Sequence, residues 1–508
     1  METLHFYILL LGLAWSIFNK YFVPKLRNLP PTPLSASAVI LLRLFKQPLC
    51  RTLSQISNQH GPILLLRFGF RRVLLVSSSS AAEELFSTND AVFANRPKLL
   101  PGKQFGCNYT TLAWAPHGHV WRHLRSVSCL EILPFHRVPN QQESFNEEIK
   151  VMLGRLLNTQ EKTVELRLMF LDLVFHVMMR MFAGKRYCRN NMTAKGEVME
   201  SISLQEYVTR SFRMTTEETD VGYFMPILKL FGLKSLDQRC KKLQEIGDSL
   251  MDGLIEEIKR TAPDFSDISG DTQETVIEFL LDKQKTDPKN YSDQKIRGLV
   301  LGLMSAGTTT SSGIMEWAFS LLLSHPEVLK KAQDEIDNYI GNDRFIDQSD
   351  IDHLPYLRCI VKETMRMYPV APLLVPHESS RECRVSGYNV PKGTMLMVNV
   401  WAIHNDPNVW TEPTKFSPER FEKTINERDG FKLMPFGYGR RSCPGKHMAT
   451  RMIHLTLGSL IHCFDWERVS EKMVNGMTEK TGMALLKAQP LVARGRPRLK
   501  MEKLLSQI

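Results

Sequence analysis

The chain has none of the cysteine pairs that build zinc fingers or iron–sulfur clusters. Its 508 residues include nine cysteines, which are scattered singly, and no two of them form a CxxC pair. An odd number of isolated cysteines in a chain of this length indicates free thiols in a reducing compartment rather than a disulfide framework. A cysteine with a chemical role in this protein is therefore expected to act alone.

A dense block of basic residues is absent too. Lysine and arginine number 65 against 54 acidic residues, a net charge of +11, but this excess is spread along the chain. Nucleic-acid binding is therefore not expected, whereas anionic lipid or an acidic protein partner would suit the charge. A basic surface without any specific partner is the alternative.

The longest apolar run stands at the N-terminus. Residues 4–18 are almost wholly apolar, basic residues follow them, and the only charge before them is Glu2. Because about 20 apolar residues cross a bilayer, residues 1–23 are predicted to form a membrane anchor, with the rest of the chain on the cytosolic side. A basic n-region and a small-residue cleavage site are lacking, which argues against a cleaved signal peptide. Residues 24–34 are rich in proline and predict a stiff hinge before a domain of residues 35–508.

Repeats and low-complexity segments are absent, so the body of the chain is expected to be one large domain. Residues 61–77 are predicted to form two strands around a Phe-Gly-Phe-Arg-Arg turn. Residues 81–380 have mostly helical periodicity, and further short strands are expected around residues 384–400 and near the C-terminus. The predicted fold class is mainly α with small β-sheets.

The strongest predicted helix covers residues 292–325, with Ser292 as its N-cap and His325-Pro326 as its stop. Its middle, residues 306–313, reads Ala-Gly-Thr-Thr-Thr-Ser-Ser-Gly, which are mostly poor helix formers with competing hydroxyls. One interpretation is a groove for a flat cofactor, a diatomic ligand and ordered water, because broken local rules often mark a site. The other is a close helix crossing that needs small residues.

Residues 435–445 form a loop rich in glycine and proline, Pro-Phe-Gly-Tyr-Gly-Arg-Arg-Ser-Cys-Pro-Gly, before a helix predicted from about Lys446 to Cys463. Cys443 thus precedes a helix N-terminus, which favours a thiolate. Glycines let a large planar ring approach the backbone, and a thiolate is a known haem ligand. Arg441 is placed to meet an acidic group on such a ring.

This loop resembles the haem-binding signature of the cytochromes P-450, F-x-x-G-x-R-x-C-x-G, at every fixed position from Phe436 to Gly445. The resemblance implies that Cys443 binds the iron of haem b (iron protoporphyrin IX). It places Phe436, Gly437 and Gly445 against the ring, and Ala306 of the long helix on the opposite side.

Four other segments resemble family motifs, and they stand in the expected order along the chain. Glu363 and Arg366 match the E-x-x-R pair, whose spacing puts both side chains on one helix face, and Arg420 lies in a Pro-Glu-Arg-Phe element. The resemblance implies a structural triad of these three residues.

Trp121 and Arg125 match the motif W-R-x-x-R, and the resemblance implies that both contact the haem propionates. His377 is a weaker propionate candidate, with an ordinary hydrogen-bonded histidine as the alternative, and residues 93–97 (Phe-Ala-Asn-Arg-Pro) resemble the segment that opens the B region in plant members.

The resemblance implies the cytochrome P-450 fold with an N-terminal transmembrane helix in the endoplasmic reticulum. It is nearest to plant microsomal members such as isoflavone 2'-hydroxylases. Such an enzyme uses O2 and electrons from NADPH-cytochrome P-450 reductase to hydroxylate a small apolar or aromatic specialised metabolite, of the flavonoid, lignan or terpenoid class.

The long helix departs from the family pattern A/G-G-x-D/E-T-T/S at one position. Ala306, Gly307, Thr310 and Ser311 match, but Thr309 stands where an acid is usual. Threonine can hydrogen-bond water but cannot carry a carboxylate's charge. Water and Thr310 could still relay protons for hydroxylation, or the outcome could become phenol coupling or ring closure. A reductase-independent hydroperoxide isomerase or dehydratase and a non-catalytic haem sensor are the remaining alternatives.

Two sets of residues are candidates by position only. Segments rich in apolar residues are expected to line the substrate pocket, or simply belong to the core: residues 98–109, 208–226, 303–305, 370–374 and 482–485. Basic side chains are candidates for a reductase-docking face, or are solvated charges: Arg122, Lys432, Arg440 and Lys446.

Overall fold

The predicted helices and strands are assembled around one long helix in the computed structural model of the chain. It describes residues 28–33, 46–68, 71–134, 141–158, 163–186, 202–218, 234–261, 275–425, 429–469 and 477–508. The predicted anchor, residues 1–23, and residues 24–27 and 34 of the predicted hinge lie outside these residues. Among the helices within them, none combines the length and apolar character needed to span a bilayer.

The α-helices follow one another along most of the described chain. They are α1 (Leu49–His60), α2 (Ser79–Phe86), α3 (Leu100–Gln104), α4 (His119–Val127), α5 (Gln141–Leu157), α6 (Leu166–Ala183), α7 (Leu204–Arg213), α8 (Lys234–Thr261), α9 (Val276–Thr286), α10 (Asp293–Leu322), α11 (Pro326–Ile340), α12 (Pro355–Met367), α13 (Val400–His404), α14 (Lys446–Cys463) and α15 (Glu502–Leu505).

The strands are short and form three small sheets. They are β1 (Ile63–Phe68), β2 (Arg71–Val76), β3 (Val164–Glu165), β4 (His377–Glu378), β5 (Cys383–Val385), β6 (Tyr388–Val390), β7 (Met395–Val398), β8 (Phe464–Arg468) and β9 (Val492–Pro497). The largest sheet has the order β1-β2-β7-β4, the second β3-β9-β8, and β5 pairs with β6. The mainly α fold with small sheets is thus confirmed.

The predicted strand pair is present as β1 and β2, which run antiparallel with Leu65 opposite Leu74. Strand β2 then pairs in parallel with β7, where Leu75 lies opposite Met397. Their leucine, valine and methionine side chains are buried on both faces. Because a parallel partner needs a long crossover, the helical body of the chain lies between these two strands in sequence.

Helix α10 is the longest element at the centre of the fold, with 30 residues, or about 45 Å. Ser292 is its N-cap residue, but its side chain makes no capping bond, and the helix ends three residues before the predicted stop. The end is earlier because the N–H groups of Ser324 and His325 bond carbonyls three residues back, which tightens the last turn. Helices α6, α7, α12 and α14 all pack against α10.

Candidate functional site

The loop around Cys443 is closed by its own backbone. The N–H of Cys443 donates to the carbonyl of Phe436 at 2.8 Å. Gly437 has a φ of +69°, a left-handed conformation that glycine adopts without strain. Helix α14 begins at Lys446 and ends at Cys463, as predicted, so Cys443 stands just before its N-terminus.

Cys443 has an accessible sulfur within a largely protein environment. Its side chain is exposed even though protein surrounds it on most sides. Burial raises the pKa of the Cys443 thiol, and a hydrogen bond from the backbone of Gly445 opposes that shift. Apart from Gly445 itself and its chain neighbours, no atom of the described residues lies within 4 Å of the position where a Cβ of Gly445 would stand. A flat group can therefore approach the sulfur here, and a metal ion would convert the thiol to a thiolate.

One face of α10 is also open. Gly302, Ala306 and Thr310 are four residues apart and share that face, and both Gly302 and Ala306 are exposed in a helix that is otherwise mostly buried. The hydroxyl of Thr310 donates to the carbonyl of Ala306 at 2.6 Å. The groove interpretation applies to this face.

The close-crossing interpretation applies to the other faces of the same helix. A Cβ on Gly307 would stand 3.2 Å from Cε of Met178 in α6, and one on Gly313 would stand 2.6 Å from Cδ2 of Leu486. These glycines let neighbouring chains approach. The close crossing is thus observed at Gly307 and Gly313, while the groove for a cofactor on the exposed face stays a prediction.

Thr309, at the position of the usual acid, is buried, with 7% of its surface exposed. Its hydroxyl has no hydrogen-bond partner among the residues that the structure describes. An unpaired buried hydroxyl costs about 1–3 kcal/mol, and an internal water is the usual remedy. The sequence departure thus leaves a buried polar group unsatisfied at this position of the helix.

Arg441 and Arg125 both reach the cysteine loop. Arg441 donates to the carbonyl of Ala94 at 2.7 Å, and Arg125 donates to the carbonyl of Ser442 at 2.6 Å. The guanidinium of Arg441 also lies 4.3 Å from the ring centroid of Trp121, a cation–π distance. Burial and the charge of Arg125 lower the pKa of Arg441 to about 9.

Arg96 is a third guanidinium of this group, and the sequence had assigned it no role. It is buried and donates to the carbonyls of Val375 and Pro376, and burial together with Arg441 holds its pKa well below the usual range. In the described part of the chain, carbonyls and a serine hydroxyl accept from Arg96, Arg125 and Arg441, and no carboxylate does. Buried like charges of this kind favour an anionic ligand, as the propionates of a haem would be.

His377 differs from these arginines. Its Nδ1 lies 2.8 Å from the carbonyl of Phe93, which can only accept, so Nδ1 carries the proton. Burial and the charge of Arg96 hold the pKa of His377 well below the usual range, which favours the neutral form of the ring. This geometry favours the alternative of an ordinary hydrogen-bonded histidine.

Glu363, Arg366 and Arg420 are brought together as one cluster. Arg366 donates from two nitrogens to the Glu363 carboxylate, at 2.7 and 2.9 Å, and Arg420 donates to it at 3.0 Å. The backbone N–H of Ser417 adds a fourth hydrogen bond, at 3.1 Å. The carboxylate of Glu363 and the guanidinium of Arg366 are fully buried, so the cluster joins α12 to the Pro-Glu-Arg-Phe element inside the fold.

Four of the five candidate substrate segments contact one another in pairs: 208–226 with 303–305 and with 482–485, and 482–485 with 370–374. The hydroxyls of Ser211 and Ser305 lie 3.2 Å apart, and the N–H of Met483 donates to the carbonyl of Thr216 at 2.9 Å. Leu485 likewise bonds the carbonyl of Val370. Residues 219–226 of these segments lie outside the described residues.

The docking candidates divide into two kinds. Arg122, Lys432 and Lys446 are exposed. Arg440 instead pairs with Asp90 at 2.6 Å, which sequence reasoning had not foreseen because no local pattern links residues so far apart.

Comparison with known proteins agrees with this geometry. The cytochrome P450 family model, the family also written P-450, matches residues 29–493. The chain belongs to the cytochrome P-450 family. Members are haem-thiolate oxidoreductases that carry haem b and use O2, a redox partner and apolar substrates.

Relatives from plants match nearly the whole chain. Cytochrome P-450 81D1 of Arabidopsis thaliana is 44% identical over 497 residues, which cover 96% of this chain and 95% of that protein. An isoflavone 2'-hydroxylase of Medicago truncatula is 39% identical over 92% of each chain. An isoflavone 3'-hydroxylase of the same plant is 39% identical over 96% of this chain and 97% of its own.

A solved structure shares the fold. The zebrafish cytochrome P-450 determined with progesterone superposes with a TM-score of 0.75, at 24% identity, covering 89% of this chain and all of its own. The fold expected from the resemblance is therefore confirmed for the described residues.

Proposed function

We propose that this enzyme is a reductase-dependent monooxygenase that hydroxylates an apolar or aromatic plant specialised metabolite, with isoflavonoids as the first substrate class to test. The observation that carries this proposal is the match to two isoflavone hydroxylases over more than nine-tenths of the chain. The exposure of Cys443 and of Gly302 and Ala306 in α10 supports it, because exposed positions in this part of the fold leave room for a cofactor and a small apolar ligand.

Cys443 would hold the haem iron, and Phe436, Gly437 and Gly445 would lie against the ring. The open position beside Gly445 and the exposed sulfur support this assignment. When bound, the haem supplies the redox chemistry that reduces O2 and transfers one of its oxygen atoms to substrate. The remaining contributions come from the chain itself.

Arg96, Arg125 and Arg441 would bind the propionates. They are charged groups without carboxylate partners in the described residues, and propionates would neutralise them through charge-assisted hydrogen bonds. Trp121 would hold Arg441 in place from the other side of its guanidinium. Glu363, Arg366 and Arg420 would brace the fold beneath the site without touching substrate.

Thr310 would deliver protons on the open side. Its hydroxyl donates to the Ala306 carbonyl, so its lone pairs remain available to a water in the open space. Thr309 can hydrogen-bond such a water but cannot replace the proton that a carboxylic acid would supply. Proton delivery is therefore expected to depend on water more than in relatives with the acid.

The membrane and the redox partner complete the proposal. Residues 1–23 would anchor the enzyme in the endoplasmic reticulum with its catalytic domain in the cytosol. NADPH-cytochrome P-450 reductase would supply electrons, and the exposed Arg122, Lys432 and Lys446 offer positive charge for docking an acidic partner.

Expression in yeast microsomes with and without a plant reductase tests the function. We expect isoflavones, lignan precursors or triterpenoids to yield a product with one added oxygen atom, derived from labelled O2, only when NADPH and reductase are both present. Product formed from a hydroperoxide without either of them would favour an isomerase or dehydratase instead. Absence of turnover with all three classes would contradict the proposed substrate range.

Phenol coupling or ring closure is a second candidate because Thr309 replaces the acid. Thr309→Asp restores the family's carboxylate, and Thr309→Asn is the matched uncharged control. If altered proton delivery directs the reaction, the Asp variant should change the product. A large rise in product formed per NADPH with the product unchanged would leave ordinary hydroxylation as the activity.

A further inference from the structure

Asp90 lies under the backbone of the cysteine loop. Its two carboxylate oxygens accept the backbone N–H of Arg440 at 3.1 and 3.3 Å, and Oδ2 also accepts from the Arg440 side chain at 2.6 Å. The Asp90 side chain is 13% exposed and that of Arg440 is 49% exposed. The main-chain contact is therefore made by a largely buried carboxylate, unlike a surface ion pair, which contributes little.

The approach of Asp90 accounts for the glycine that precedes Arg440. A Cβ on Gly439 would collide with Oδ1 of Asp90 and stand 2.9 Å from its Cγ. Gly439 also has a φ of +68°, which disfavours any other residue. The carboxylate of Asp90 thus fills the space that a side chain at Gly439 would need. It holds the loop at Arg440, three residues before Cys443.

The segment that follows Asp90 also contacts the site. The carbonyl of Ala94 accepts from Arg441 at 2.7 Å, and the carbonyl of Phe93 accepts from His377 at 2.8 Å. Burial and the charges of Arg441 and Arg440 lower the pKa of His117, and the carboxylate of Asp90 opposes that shift. It therefore supplies negative charge at the edge of a strongly basic region.

We propose that Asp90 is a positioning residue for the haem-binding cysteine. By accepting the Arg440 N–H and filling the space beside Gly439, it fixes the loop so that the Cys443 sulfur keeps the position needed for thiolate ligation. The inference rests on the proposed haem site at Cys443. Asp90 acts through the loop backbone and touches neither substrate nor the reacting atoms.

Three variants of the full-length holoenzyme test this. Asp90→Ala removes the acceptor and the charge, Asp90→Asn keeps an oxygen acceptor without charge, and Arg440→Gln keeps the N–H but removes the ion pair. The readouts are the rate of haem transfer to an apoprotein acceptor and the carbon monoxide difference spectrum of the reduced protein, which distinguishes thiolate from thiol ligation. We expect about tenfold faster haem loss for Asp90→Ala, a smaller increase for Asp90→Asn, and least for Arg440→Gln.

Asp350→Ala is the matched control. Asp350 also pairs with an arginine that is 49% exposed, Arg344, and also accepts a backbone N–H, that of Asp347 at 2.7 Å. It should lose comparable unfolding stability while keeping haem and the thiolate spectrum.

Wild-type haem retention in Asp90→Ala, or equal haem loss in Asp350→Ala, would overturn the inference and leave the proposed function standing. A wild-type protein without the thiolate spectrum would overturn the haem site itself, and the inference with it.

Discussion

The buried cluster around Glu363 permits a quantitative prediction for Glu363→Ala. The substitution removes the carboxylate that accepts two hydrogen bonds from Arg366 and one from Arg420. Arg366 then stays fully buried, and among the described residues the carbonyl of His404, at 2.8 Å, is its one remaining hydrogen-bond acceptor. Its charge is left without a counter-ion in a place that water does not reach.

The magnitude follows from that loss. Removing one partner of a buried ion pair costs about 3–5 kcal/mol, against a total stability of about 5–15 kcal/mol for a folded protein. Arg420→Ala should cost less, about 1–3 kcal/mol, because Glu363 keeps both bonds from Arg366. The expected order of destabilisation is therefore Glu363→Ala, then Arg420→Ala.

Urea unfolding followed by far-ultraviolet circular dichroism measures these differences. Asp334→Ala is the control, since it breaks an exposed helical ion pair with Lys330 and should cost less than about 0.5 kcal/mol. A loss below about 1 kcal/mol for Glu363→Ala, or one no larger than that of the control, would refute the reasoning.

Two further predictions concern acid stability and haem retention. Burial lowers the pKa of His404 to about 3 and that of His454 to about 4. Below about pH 6.5 the unfolded chain binds protons that the folded rings do not. The free energy of unfolding should therefore decrease as the pH is lowered, by up to about 1.4 kcal/mol per pH unit for each ring. Urea midpoints between about pH 7 and pH 5 check this, with a shallower slope in His404→Gln; a flat profile would contradict it. Arg441→Gln should speed haem transfer to an apoprotein about tenfold, whereas the exposed Arg260→Gln should not, and equal rates would remove Arg441 from the proposed propionate site.

The sequence predicted some helix ends correctly, where residues such as proline and glycine mark them. Helix α14 was predicted at both ends: Pro444 and Gly445 stand directly before its start at Lys446, and in the structure strand β8 follows its last residue, Cys463, directly. The end of α10 was predicted three residues too late because the tight last turn depends on hydrogen bonds that the sequence does not reveal. The pairing of Val164 with Ala493 likewise joins distant residues without a local signature.

The candidate site was predictable where motifs are contiguous and unpredictable where distant segments meet. Cys443 and Arg441 stand in one loop that a single signature covers. The contacts of Arg96 and Asp90 could not be predicted, because they form only when the fold brings their segment against distant parts of the chain. Thr309 is intermediate, because the sequence marks the missing acid but only the packing shows that its hydroxyl is buried and has no partner in the described part of the chain.

The carbon monoxide difference spectrum of the reduced enzyme, in wild type and Cys443→Ser, tests the central claim most directly. Cys129→Ser is the control, since Cys129 is a second thiol near enough to raise the pKa of Cys443. The account predicts the thiolate-ligated spectrum for wild type and Cys129→Ser and its loss in Cys443→Ser, with circular dichroism unchanged. A thiolate spectrum that survives Cys443→Ser, or disappears in Cys129→Ser, would contradict it.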